Sequence, residues 1–321
     1  MSVFITGVAG FVGTNLAAAL LERGERVVGF DNLCRGSEAN LAGLRTNPDF
    51  MFERVELTDI AAYRSAFARA HEADPITEIW HMAANSDIPA GIADPHVDLG
   101  DTFMTTFNTL LLMREFGVGT IAFASSSAIY GDLGERPLVE NIGPLFPISN
   151  YGAMKLASEA AISAAVESDL ERALLFRFPN VIGVPATHGV ILDFVRKLQA
   201  TPSCLDVLGD GTQQKSYLHV EELVDAMLHI RDHDNARLSC YNIGAADDGI
   251  TVRFIAETVR DRVSPQAAIR YGEGNRGWVG DVPKFVYSID KLLALGWRPK
   301  LGSAAAVRRA VDQVVEQETT Q

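Results

Sequence analysis

The chain of 321 residues is short of cysteine, of positive charge and of long apolar runs, and each shortage removes a class of protein. Its three cysteines, Cys34, Cys204 and Cys240, are far apart, odd in number and without a C-x-x-C pair. That excludes a disulfide framework and a cysteine-based zinc site, and a reducing cytoplasm is expected. Lys and Arg total 28 against 41 Asp and Glu, a net charge of −13. Such a balance argues against nucleic-acid and anionic-membrane partners, which need a positive field. It leaves room for a small anion, which needs only local dipoles and a few cations. No apolar run approaches the roughly 18 residues needed to span a bilayer. Met1-Ser2-Val3-Phe4-Ile5 enters an apolar segment with no basic leader, so no secretion signal is expected. His71, His96, His188, His229 and His233 form no metal-ligand spacing, and no metal is expected.

What is present is a core-forming composition, 47% hydrophobic and 21% charged. Short β-branched runs at Val3–Thr6, Arg26–Phe30, Phe50–Val55, Glu78–His81, Thr120–Ala124 and Arg172–Phe178 read as strands. Helical spacing over Phe11–Arg23 and Tyr151–Ser168 separates some of them. Apolar strands alternating with helices imply a doubly wound parallel α/β sheet covered on both faces. The second half is less regular, with helical patterns at Ile191–Gln199, Val220–Arg231, Val252–Arg262 and Ser303–Glu316 between glycine-rich turns. It reads as a smaller α/β lobe interleaved with late strands.

Gly7-Val8-Ala9-Gly10-Phe11-Val12-Gly13 follows the first strand directly. Gly7 permits a tight strand exit, Gly10 a close backbone approach to a pyrophosphate, and Gly13 close packing of helix on strand. The helix start at Phe11 and Val12 then offers N–H groups and a positive dipole end to an anion. This is a Rossmann-like dinucleotide cradle. Asp31 ends the second strand, 18 residues beyond Gly13. A carboxylate there accepts ribose hydroxyls and repels a 2′-phosphate, which favours NAD over NADP, although nearby Arg35 could welcome that phosphate. The bounds read from sequence are 1–179 and 216–244 for the NAD-binding domain, and 180–215 and 245–321 for the substrate lobe.

Ser125-Ser126-Ser127 follows the strand at Thr120, and Tyr151 and Lys155 lie four apart at the start of a helix, on one face. A tyrosine with a pKa of about 10 is a poor base at neutral pH, and each unit of lowering requires about 1.36 kcal/mol of differential stabilisation. A nearby ammonium and an oxidised nicotinamide would stabilise the phenolate. Tyr151 could then take a hydroxyl proton while Ser126 holds the same oxygen.

With these residues the chain resembles the extended short-chain dehydrogenase/reductases, specifically the nucleotide-sugar epimerases and dehydratases. The carriers are G-V-A-G-F-V-G from Gly7, F-D-N-L from Phe30, H-M-A-A from His81, S-S-S-A-I-Y-G from Ser125 and Y-G-A-M-K from Tyr151. R-F-P-N from Arg177, Y-L-H-V from Tyr217, Y-N-I-G from Tyr241 and L-G-W-R-P from Leu295 continue the likeness over roughly residues 1–300. The resemblance implies that Ser126, Tyr151 and Lys155 are catalytic. It places Asn32, Glu56 and Leu57 on the adenosine side and lays His81, Ala83 and Ala84 against NAD. Pro179 would border the nicotinamide. Asn180 would meet the diphosphate of a nucleotide sugar, with Lys215, Arg276 and Asp281 as further contacts. A homodimer is also implied. Four positions depart from the family pattern: Lys215-Ser216 replaces Arg-Asp, Trp278 replaces an arginine that clamps uridine, and Glu56 replaces an Asp that faces adenine.

Typical dehydratases of this kind carry Asp-Glu directly after the catalytic Ser or Thr. Here those slots hold Ser127 and Ala128, the form seen in 4-epimerases. The expected reaction is transient oxidation at C4 of a UDP-hexose or UDP-N-acetylhexosamine, then hydride return with inversion. An alternative is 5,6-dehydration of UDP-N-acetylglucosamine, as in tunicamycin assembly, with Asp87 as a recruited base or Ser127 assisting. A third is a non-enzymatic NAD-dependent sensor, disfavoured because Ser126, Tyr151 and Lys155 are all retained.

Overall fold

The computed structural model describes residues 1–134, 136–274 and 286–320. The chain begins β1 (Ser2–Thr6), α1 (Phe11–Glu22), β2 (Arg26–Asp31), β3 (Phe50–Arg54), α2 (Ile60–Ala73) and β4 (Ile76–His81). Two short helices, α3 (Ile88–Ala93) and α4 (Pro95–Asp98), lead through a π-helical turn at Leu99–Met104 into α5 (Thr105–Phe116). Then come β5 (Thr120–Ala124), a 3-10 turn at Ser127–Tyr130, α6 (Asn150–Val166) and β6 (Arg172–Arg177). The remainder is β7 (Asn180–Ile182), α7 (Val190–Ala200), β8 (Cys204–Val207), β9 (Gln214–Lys215), β10 (Tyr217–His219), α8 (Val220–His233) and β11 (Leu238–Asn242). It ends with β12 (Ile250–Thr251), α9 (Val252–Val263), β13 (Ala268–Tyr271), α10 (Asp290–Ala294) and α11 (Ser303–Thr320).

Seven strands form one sheet in the order β11-β6-β5-β4-β1-β2-β3, a doubly wound Rossmann-like arrangement. The pairings among β1 to β6 are parallel. Every residue of β1 is buried, because helices cover both faces and leave no polar side to alternate with. Register brings Thr6 opposite both Phe30 and His81, and His81 opposite Phe123, so the carboxyl ends of four strands lie level. Strand order reverses between β1 and β4, the place where such sheets receive ligands.

The chain divides into two compact units. The first comprises Met1–Gly131, Pro144–Arg177 and Ile230–Tyr241; the second comprises Asp132–Gly143, Phe178–His229 and Asn242–Gln321. This differs from the bounds read from sequence. Residues 216–229 fall in the second unit because β10 pairs with β7 instead of joining the seven-stranded sheet. Residues 132–143 fall there too, and Leu138 bridges to Tyr287.

The first unit's core centres on Phe4, Phe30, Tyr63 and Phe67, with Phe4 edge-on to Phe30 at 4.8 Å and to Phe67 at 5.0 Å. In the second unit α7, α9 and α11 bury Ile191, Val195, Ile255, Val259, Val307 and Val311 against one another. Among the described residues no helix is long and apolar enough to cross a membrane.

Candidate active site

The glycine loop is dictated by contact distances. Gly7 has a positive φ of 69°, and a Cβ there would fall 2.8 Å from the Ala83 nitrogen. A Cβ on Gly13 would fall 2.2 Å from the Gly7 carbonyl oxygen, so α1 packs on the loop only if residue 13 lacks a side chain. Gly10 is looser, at 3.2 Å from the same oxygen. It stands as N-cap of α1 without a side-chain cap, and the first turn carries no acidic residue. The N–H groups of Phe11, Val12 and Gly13 therefore lack helical acceptors, and no acidic side chain of the first turn competes for them. Gly36 was not singled out in the sequence, yet its Cβ would lie 2.5 Å from the Ala9 oxygen, and Asn40 donates to that oxygen at 2.8 Å. A glycine near Asp31 was the available signal.

The buried Asp31 carboxylate accepts the Ala9 N–H at 3.0 Å and the Leu33 N–H at 2.7 Å. Burial raises its pKa, with these backbone donors opposing the rise. With Gly10 as a further backbone donor, the carboxylate still has acceptor capacity left for a ribose hydroxyl. Asn32 donates to Glu56 at 2.8 Å, and Glu56 also accepts from Thr58. Burial alone would raise the Glu56 pKa, but those hydrogen bonds outweigh it and hold it below the usual range. Leu57 is buried beside it. The uncapped α1 start, the glycine cradle and Asp31 fit a dinucleotide such as NAD.

His81 stands otherwise than the sequence suggested. Its ring is wholly enclosed, held by Thr6 at 2.9 Å and Thr106 at 3.1 Å, and stacked on Phe123. Burial, then the Lys155 charge, drives its pKa down to about 3. It is a neutral structural histidine; its neighbours Ala83 and Ala84 are partly exposed, and the Ala83 N–H donates to Thr6.

Ser126, Tyr151 and Lys155 come together for a local reason. Ser149 caps α6 by accepting the Gly152 N–H. A Cβ on Gly152 would lie 2.5 Å from the Ala128 oxygen, so the first turn of α6 presses onto the 3-10 turn. Ser126 caps that turn through the Ala128 N–H, Ser127 begins it, and the Ser126 hydroxyl bears on Tyr151 across the contact. The buried Lys155 Nζ donates to the Ala124 carbonyl at 2.5 Å and lies 5.9 Å from the Tyr151 ring. Burial pushes Tyr151 up to about 12; the nearby Ser126 hydroxyl opposes this and the Asp98 charge adds to it. Burial pulls Lys155 down to about 7, opposed by Glu159 and Asp98.

Two acids escaped the sequence reading. Glu159 lies one turn beyond Lys155 and takes a two-point clasp from Arg177 at 2.9 and 2.6 Å, plus the Ser125 hydroxyl at 2.5 Å. The i+4 spacing from Lys155 was its visible signal. Asp98 is wholly buried and bears on both Tyr151 and Lys155, and nothing in its sequence neighbourhood marks it.

Asp87 is elsewhere occupied. It caps α3 through the Ala90 N–H and pairs with Arg35 at 3.1 Å. Arg35, a candidate for a 2′-phosphate, is thereby held by a carboxylate. In the second unit Asn180 pairs opposite Tyr217 and donates to the Ser216 carbonyl at 3.4 Å. Pro179 lies beside Gly244, and Lys215 pairs opposite Ile250. Arg276, Trp278 and Asp281 lie outside the described residues.

The NAD dependent epimerase/dehydratase family model matches residues 3–244. A UDP-galactose 4-epimerase of known structure is 32% identical with a TM-score of 0.85, over 99% of both chains. The Thermus thermophilus UDP-glucose 4-epimerase, solved in complex with NAD, is 30% identical with a TM-score of 0.84, over 98% of this chain and 99% of that one. The Neisseria gonorrhoeae UDP-glucose 4-epimerase is 30% identical over 70% of this chain and 71% of its own length. The glycine cradle, the sheet order and these likenesses converge: the chain belongs to the NAD dependent epimerase/dehydratase family and is an NAD-dependent enzyme.

Proposed function

We propose that the chain is a UDP-hexose 4-epimerase, acting on a glucose-type sugar with or without an N-acetyl group. The observation that carries this is the packing of the Tyr151 turn onto the Ser126 turn beside Lys155, with Ser127 and Ala128 where a dehydratase's acid/base pair would stand. NAD, when bound along Gly7–Gly13 and Asp31, supplies the acceptor for the C4 hydride and gives the hydride back. Tyr151 Oη takes the proton of the C4 hydroxyl, and Ser126 Oγ hydrogen-bonds the same oxygen. Tyr151 returns the proton to that oxygen once C4 is reduced from the opposite face. Lys155 contributes a positive charge that favours the phenolate. Asn180 and Lys215 hold the diphosphate.

The reading includes a homodimer. Leu99, Phe103, Phe107 and Leu111 recur four residues apart on one helical face; Leu99, Phe107 and Leu111 are 44%, 42% and 39% exposed. Phe103 and Phe107 stack with ring centroids 6.1 Å apart. An apolar stripe of this kind suits a second copy of the same helix.

The test is incubation of the NAD-bound chain with a panel of UDP- and TDP-hexoses, followed by product mass and stereochemistry. The expected product has the mass of the substrate and an inverted C4. Loss of water in every active case would replace this reading by a dehydratase. Absence of turnover on every sugar, with NAD bound, would leave the sensor.

A further inference from the structure

We propose that Asp98 is a positioning residue for this site: its buried carboxylate, clasped by Asn85 and seated against Gly91, fixes the start of α6 and sets the charge around Tyr151 and Lys155. The proposal deepens the epimerase reading and rests on it for the chemical role of Tyr151.

Asp98 closes α4 and is fully buried. Its Oδ1 accepts from Asn85 Nδ2 at 2.8 Å. Its Oδ2 has no hydrogen-bond partner among the described residues. A buried carboxylate with one oxygen unmatched is costly, and a neutral residue would fill the same space at less cost. The neighbours are shaped to admit it. A Cβ on Gly91 would lie 1.7 Å from Oδ2, so glycine at 91 is a condition for aspartate at 98. Asn85 is itself fixed: its backbone N–H donates to Thr102, and its side chain both donates to the Asp87 carbonyl and accepts the Asp87 N–H.

The same contact reaches the catalytic helix. The Gly91 carbonyl accepts from Asn150 Nδ2 at 2.8 Å, and Asn150 is the first residue of α6, immediately before Tyr151. Asp98 thus ties the loop after β4, α3 and the start of α6 into one assembly. Its charge also acts on both working groups. It opposes the Tyr151 phenolate and favours the Lys155 ammonium. The titratable groups that face it are Tyr151 and Lys155 from α6 and Asp101 from the π turn. His81 and Glu159 bear on Lys155 instead. The consequence is one carboxylate that counts against the Tyr151 phenolate and partly offsets the loss of charge that burial imposes on Lys155.

Asp98→Asn removes the charge and preserves the shape and the acceptor for Asn85. The readout is tyrosinate ultraviolet absorbance against pH on the NAD-bound chain, with Tyr151→Phe identifying the Tyr151 signal. In Asp98→Asn that signal is expected at lower pH than in the wild type. In turnover, the rise of kcat with pH is expected to move to lower pH in step with that titration, while KM for the UDP-sugar stays within twofold. If the amide does not fold, the shorter and equally neutral Asp98→Ser is measured, with the same shift expected. A Tyr151 titration at unchanged pH in a folded neutral variant overturns the proposal. The absorbance readout needs no turnover, so it is separable from the epimerase reading, which fails on its own if the wild-type chain converts no sugar.

Discussion

The two compact units are built with different regularity. In the first, six parallel strands of five or six residues are sealed on both faces by helices. In the second, strands of two to four residues pair off in three separate couples. On the proposed reading, long, level strands hold the backbone groups that NAD would meet, at the Gly7–Gly13 turn, at Asp31 and behind Ser126. Short strands hold up single side chains, such as Asn180 and Lys215, whose identity can change without disturbing a sheet. On the proposed reading, the first design carries the chemistry and the second the choice of substrate.

The largest expected effect lies in the regular unit. Tyr151→Phe should lower kcat by about 10²–10⁴-fold, the range for loss of a general acid/base, with NAD still bound. Steady-state turnover together with cofactor absorbance of the purified variant checks this. Equal activity would separate the regular unit from the chemistry altogether.

Gly13→Ala comes next. The added methyl meets the Gly7 oxygen at 2.2 Å, which backbone must relieve. A loss of roughly 1–3 kcal/mol in stability, with weaker NAD binding, is expected from overpacking. Denaturant unfolding with and without NAD gives both. An unchanged midpoint would mean that the cradle is softer than its spacing requires.

Lys215→Ala probes the irregular unit. A rise of about tenfold in KM for the UDP-sugar is expected, equivalent to about 1.4 kcal/mol, with NAD binding and unfolding unchanged. A fall in stability equal to that of Gly13→Ala would erase the contrast between the units.

The smallest effect is a slope. Folding lowers Lys155 from 10.5 to about 7, so between those pH values the unfolded chain binds more protons at this residue than the folded one. Stability from this group therefore rises with pH across that window, and below it the burial cost of the ammonium is present in full. Lys155→Met should flatten the rise in the cofactor-free chain, as seen by unfolding at several pH values. An unchanged slope would show that Lys155 titrates as it would in water.

Much of the first unit is legible in sequence because its demands are local. Gly7, Gly10 and Gly13 follow a strand and open a helix, and Tyr151 and Lys155 share one helical face. Asp98 was not legible because its burial depends on Gly91, Asn85 and a π turn brought together only by the fold. His81 lay in a recognisable motif, but its neutrality comes from burial and the Lys155 charge, and it is enclosed with Thr6 and Thr106, 75 and 25 residues away. The domain bounds shifted because β10 pairs with β7 rather than with the large sheet, a choice of partner that short apolar runs do not announce.

The central claim is that C4 gives up a hydride and receives the same one on its other face. A UDP-sugar carrying deuterium at C4, turned over by the NAD-bound chain in ordinary water, tests it most directly. The account predicts that the deuterium remains on C4 of a product with inverted configuration and the same mass as the labelled substrate. Deuterium found at C6, or its loss from a product that has also lost water, would contradict it.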